Sequence, residues 1–179
     1  MWALLILIAI VIAVFVLYNG LVKLKVTAES AWADIDVQLK RRYDLIPNLV
    51  ETVKGYAAHE RGTLEAVIDA RARAMSASGP AEKGRAEGEL TGALKSLFAL
   101  AENYPQLRAA ENFGQLQSSL MQIEDAVQNA RRYYNAVVRD LNTRIQQFPS
   151  NLVALSFGFK QREFFEIGEE ERAAPRVSF

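Results

Sequence analysis

Residues 113–148 read FGQLQSSLMQIEDAVQNARRYYNAVVRDLNTRIQQF, and their apolar positions decide the fold. Phe113, Leu116, Leu120, Ile123, Val127, Ala130, Tyr134, Val137, Leu141, Ile145 and Phe148 follow one another at steps of three or four. That spacing places them on one stripe of a helix. Sustained over this length, it is a heptad-like seam with slight left-handed wrapping. Counted from Leu107, the helix would be about 60 Å long. Gln128 falls between seam positions and is expected at the solvent face. Upstream, Leu90, Leu94, Leu97 and Ala101 mark a shorter helix over 82–102. Met75 to Ala81 (MSASGPA) should form the turn before it, and Asn103-Tyr104-Pro105 the turn after it, because proline disfavours a helical residue at Tyr104.

The first half carries a second seam: Leu24, Ala28, Trp32, Ile35, Leu39, Tyr43, Ile46, Val50, Val53 and Ala57. It holds one phase across Pro47. An interior proline costs a helix about 3 kcal/mol in lost bonding and clash, so a kinked but continuous helix to about Ala57 is expected, with a turn at Asp44–Pro47 as the alternative. A reversal near His59–Gly62 and a short helix over Thr63–Ala74 complete the pattern. The fold class is all-α: an N-terminal transmembrane helix, then an elongated up-and-down four-helix bundle with long first and last helices.

The transmembrane element is the opening stretch, MWALLILIAIVIAVFVLY, which has no charge; Leu21 and Val22 extend it. As a helix, Trp2 to Val22 spans about 30 Å, the thickness of a hydrocarbon core. The stretch lacks the basic first region, short apolar core and small-residue cleavage site of a signal peptide, so a retained anchor is expected. Lys23 and Lys25 follow at once, then Lys40, Arg41 and Arg42, whereas no basic residue precedes the span. The positive-inside rule therefore sets the amino terminus outside and the rest in the cytoplasm. The expected organisation is an anchor over 1–22, a cytoplasmic helical bundle over 23–148 and an aromatic-rich tail over 149–179. The tail holds Phe157, Phe159, Phe164, Phe165 and Phe179. An even number of helices returns Phe148 to the membrane end, and the tail is expected to contribute to contacts between subunits of a homo-oligomer.

Catalytic patterns are missing. A di-iron carboxylate bundle needs two Glu-x-x-His pairs, and the chain has one histidine, His59. His59-Glu60 does not open a His-Glu-x-x-His zinc motif, because the fifth position is Thr63. With no cysteine there is no thiolate nucleophile or thiolate metal site. No Gly-x-Ser-x-Gly elbow or phosphate-binding glycine loop is present. Neither catalytic residues nor metal or cofactor ligands are assigned. A formal net charge of zero gives no bulk field for nucleic acid. The Lys40-Arg41-Arg42 cluster, interleaved with Asp34, Asp36 and Asp44, reads as ordinary helix-surface pairs. Arg71, Arg73, Arg131 and Arg132 read as solvated or inter-helix pairs, and Tyr133-Tyr134-Asn135 as core plus rim.

Four blocks carry a family resemblance: AWADIDVQLKRRYDLIPNLVETVKGYAAHE (31–60), LFALAENYPQLRAAENFGQLQ (97–117), EDAVQNARRYYNAVVRDLNTRIQQFPSNLVA (124–154) and FGFKQREFFE (157–166). Together they resemble the LemA family over nearly the whole chain. The resemblance implies a bacterial single-pass protein of the inner or plasma membrane, a long-helix bundle in the cytoplasm, and no enzymatic activity that transfers residue by residue. The expected function is a non-enzymatic scaffold or assembly protein, partnered by the bilayer through residues 1–22, by copies of itself and by other membrane proteins. An adaptor for a membrane protease or stress-response complex is one alternative. An enzyme with its site among Asp36, Arg42, Asn48, Glu51, Arg131 and Asn135 is the other.

Overall fold

The computed structural model describes residues 1–166, and every regular element among them is a helix. In chain order these are α1 (Trp2–Lys54), α2 (Arg61–Ser76), α3 (Gly79–Ala101), α4 (Pro105–Arg108), α5 (Glu111–Gln146) and α6 (Ser150–Ser156). Two compact units share them. Met1–Ile35 and Asn129–Phe164 form the first; Asp36–Gln128, with Phe165 and Glu166, form the second.

In the first unit α1 and α5 run antiparallel. The Trp32 and Tyr134 rings lie 5.3 Å apart, while Leu21 and Leu141 share a core cluster with Val153 and Ala154 of α6. Val14, Leu17, Tyr18, Leu24, Ile145 and Phe159 pack around that cluster. The end of α5 thus returns to the apolar end of α1. The seam ends short of expectation, since α5 stops at Gln146 and Phe148, placed on the seam, is 75% exposed; after Pro149 the chain forms α6, which buries Val153 and Ala154 on one face. The chain then turns back as a strap. Asn142 donates from Nδ2 to the Arg162 carbonyl and accepts the Arg162 amide at Oδ1, both at 2.9 Å. Tyr134 donates to the Glu163 carbonyl at 3.0 Å. These side chains satisfy strap backbone that has no ladder or helix to join. Phe159 packs against the cluster of this unit and Phe165 is buried in the second, whereas Phe157 and Phe164 are exposed; Phe179 lies outside the described residues.

In the second unit Leu39, Ile46, Leu49 and Val53 of α1, Leu64 and Val67 of α2, Leu90 and Leu97 of α3, and Leu120 and Val127 of α5 are buried. Leu39, Ile46, Val53, Leu90, Leu97, Leu120 and Val127 are positions of the expected seams, whereas Leu49, Leu64 and Val67 join the core without having been placed on one. Helix α1 crosses Pro47 without a turn, and the reason lies in α2. A proline at position 47 offers no N–H to the carbonyl four residues earlier, that of Tyr43. Arg71 Nε donates to that carbonyl at 2.8 Å. The orphan acceptor created by Pro47 is thereby satisfied, and the turn at Asp44–Pro47 does not form.

Several boundaries differ from expectation: α1 ends at Lys54 rather than about Ala57, and α2 begins at Arg61, within the stretch expected to form the reversal. The break over Met75–Ala81 contracts to Ala77 and Ser78: α2 runs to Ser76, and α3 starts at Gly79 with Pro80 in its first turn, where a missing N–H costs nothing. Gly79 adopts φ 76°, the left-handed conformation the tight reversal requires. The long helix starts at Glu111, since Leu107 belongs to the separate turn of helix α4 opened by Pro105. With 36 residues, α5 is about 54 Å long.

Candidate functional site

The most unusual chemistry of the second unit is a buried ionic network around Arg42. The seam of α1 places Arg42 one position before Tyr43 and three after Leu39, so its guanidinium enters the core, 3% exposed. Expectation had it on the helix surface. Glu87 lies three residues before Leu90 on the apolar face of α3 and is fully buried. Arg42 Nη1 meets Glu87 Oε2 at 2.8 Å; its Nη2 reaches Thr91 Oγ1 at 2.9 Å and Glu124 Oε2 of α5 at 3.0 Å. The Tyr43 hydroxyl donates to the other Glu87 oxygen, with the Ala74 carbonyl as an alternative acceptor at 3.3 Å. Burial pushes the Glu87 carboxyl above the usual carboxylate range, against the opposing pull of the Tyr43 hydrogen bond and the Arg42 charge. Burial, then the neighbouring Glu87 charge, raises the Tyr43 phenol.

A cavity of about 330 Å³ opens beside this network. Leu94, Phe98, Leu120 and Met121 form its apolar wall, and Arg42, Lys95 and Glu124 its polar end. Gln128 is part of the lining and is half-buried, not at the solvent face. Both oxygens of Glu87 are engaged, and Arg42 is held by two carboxylates and a hydroxyl. The arrangement locks α1, α3 and α5 together; it does not present a free acid or base.

Of the six polar residues considered for an enzyme, Arg42 alone enters this network. Asp36, Asn48 and Glu51 are exposed, while Arg131 and Asn135 are half-buried in the first unit and engaged there. His59 is exposed in the reversal between α1 and α2. Glu87, Thr91 and Glu124 were not anticipated. Glu87 carried one signal in the sequence, an acid on the leucine stripe of α3; Glu124 carried none, being adjacent to the seam residue Ile123.

The second feature is the start of α1. Its apolar stretch makes α1 long and apolar enough to cross a membrane, and almost none of that stretch is buried within the protein. Ile6, Ile10, Phe15 and Val16 are among its exposed side chains. A bare apolar band of this size does not persist in water.

A helical chain with a bare apolar end and a polar, buried-core remainder defines the class as a membrane-associated helical protein. The profile of the LemA family matches residues 31–179, and the chain belongs to that family. It is similar to the magnetosome protein MamQ 2 of Paramagnetospirillum magneticum, 25% identical over 89% of this chain and 68% of that protein. The MamQ of Magnetospirillum gryphiswaldense is similar to the same extent. Protein LemA of Metamycoplasma hominis is 26% identical over 86% of this chain and 71% of its own.

Proposed function

We propose that the protein is a non-enzymatic, single-pass membrane protein whose residues 1–22 cross a bacterial inner or plasma membrane with the amino terminus outside. Residues 23–148 form a cytoplasmic scaffold that associates with further copies of itself and with other membrane proteins. In this reading α1, α2, α3 and α5 make up the expected up-and-down four-helix bundle. The observation that carries it is α1 itself: the apolar stretch continues into a helix that ends only at Lys54, with no linker between span and domain. Such a helix couples the domain to the membrane more tightly than a flexible tether would. Confinement to a bilayer raises the effective concentration of copies, so modest contacts suffice for association. Extraction of the intact protein in mild detergent, followed by mass photometry, is expected to give particles of several copies. A uniform population of monomers would remove self-association from the proposal.

A further inference from the structure

We infer that α6 and the residues flanking it form a lipid-interface element, seated in the cytoplasmic leaflet beside the anchor; the inference rests on the reading of α1 as a membrane span. The first observation is where α6 docks. Its inward residues Val153 and Ala154 share a cluster with Leu21, and Val14, Leu17 and Tyr18 pack around it. Tyr18 also contacts the Phe157 ring at 4.8 Å and the Phe159 ring at 5.8 Å. These positions of α1 precede Lys23, the first charge after the span, and Leu24, one residue past it, marks the shallow edge of the same packing. Val14 stands about 13 Å before Lys23 along the helix axis. An element held against Leu17, Tyr18 and Leu21 therefore sits about 3–9 Å on the membrane side of that charge, within the depth of about 5–10 Å that interfacial helices reach, and only Val14 lies deeper.

The second observation, independent of the first, is what α6 turns outward. Phe148 is 75% exposed and Leu155 83%, and Leu152 and Phe157 are also exposed. Leu152 and Leu155, three residues apart, lie on the outer side of α6, whose inner side is already covered, and Phe148 and Phe157 stand just beyond its two ends. Residues 145–159 (IQQFPSNLVALSFGF) contain no charge, while Arg144 and Lys160 flank them; Arg162, two residues on, is paired with Glu29 of α1. A Cβ at Gly20 would stand 3.9 Å from Arg144 Nη1, so this guanidinium lies at the Lys23 end of the span. Apolar residues inside a rim of basic ones match the boundary between acyl chains and anionic headgroups: the apolar groups leave water, and the long cations extend toward phosphate. A second copy of the chain would cover the apolar residues equally well but gives no reason for the basic rim.

The chain has no cysteine, so single cysteines report without background. Leu155→Cys, Phe15→Cys and Ser118→Cys, all at exposed positions, are labelled with an environment-sensitive fluorophore. The full chain is then reconstituted into vesicles of phosphatidylcholine and phosphatidylglycerol. The label at Leu155 is expected to shift to the blue and lose its emission to a quencher carried on lipid acyl chains, as the label at Phe15 does. Aqueous iodide should quench Ser118 alone. If Phe15 responds to the lipid quencher and Leu155 to iodide, α6 faces water and the inference fails while the anchor stands. If Leu155 responds to neither quencher, another protein surface covers it, which also overturns the inference. If Phe15 itself fails to respond to the lipid quencher, the span reading is wrong and the inference falls with it.

Discussion

Arg71 and Pro47 show how one side chain repairs what another removes. Because Arg71 supplies the donor that Pro47 lacks, Arg71→Met should cost about 1–3 kcal/mol by leaving the Tyr43 carbonyl unsatisfied. In a Pro47→Ala background the backbone N–H returns, and the same change should cost less than about 1 kcal/mol. Urea midpoints of the four proteins measure the coupling; equal costs in both backgrounds would mean that Arg71 acts elsewhere. The Arg42–Glu87 pair poses a related asymmetry. Arg42→Met strands a buried carboxylate and should cost about 3–5 kcal/mol, whereas the double change Arg42→Met/Glu87→Leu should recover most of that loss. Glu124 is one-third exposed and can turn to water, and the Tyr43 hydroxyl keeps the Ala74 carbonyl as an acceptor. Tyr43 also predicts a pH response. Its folded phenol holds a proton to higher pH than the unfolded one. The folded state therefore binds more protons above the ordinary tyrosine value of about 10, and stability falls as pH rises through that range. The contribution is present in full below about pH 10. Comparing urea midpoints on either side of that value, Tyr43→Phe should show a shallower alkaline loss than the parent.

Helix α3 contains its own control for the strap. A Cβ at Gly84 would overlap the Glu166 carbonyl, whereas one at Gly92 would meet nothing within 4 Å. Gly92→Ala should stabilise by up to about 1 kcal/mol through helix propensity. Gly84→Ala should reverse that sign, losing about 1–3 kcal/mol as the strap is pushed off. Thermal melts of the two variants decide it, and a stabilised Gly84→Ala protein would mean that the strap yields freely. On α5, Leu120→Asp buries a charge without a partner and belongs among severely destabilising changes. Asp at exposed Ser118 should be nearly silent. The seam of α5 was legible from spacing alone, down to Leu141. Its start was not, because the separation of α4 from α5 depends on a local break after Arg108 that no apolar period records.

For the molecule as a whole, orientation is the testable property. The basic residues after the span predict that Ser78→Cys, exposed between α2 and α3, resists a membrane-impermeant thiol reagent in intact cells and reacts once the membrane is opened. Ready labelling of intact cells would reverse the topology. Deleting the chain after Asn151 would not trim a free end. It would remove Val153, Ala154, Phe159 and Phe165, which are buried or packed against other elements, so lower stability is expected alongside any change in particle size.

Helical class, the two long seams, the apolar span and the family blocks were determined by the sequence by itself, because each is a periodic or continuous property of neighbouring residues. Hydrophobic spacing at three and four positions needs no partner to be read. Whether α1 would continue through Pro47 depended on Arg71, which lies 28 positions from Tyr43 in the chain. The placement of Arg42 inside the core depended on Glu87, 45 positions away. The docking of α6 beside Tyr18 joined segments still farther apart. Tertiary structure decided these points because a buried donor, charge or aromatic ring is defined by what faces it, and local spacing carries no record of a distant partner.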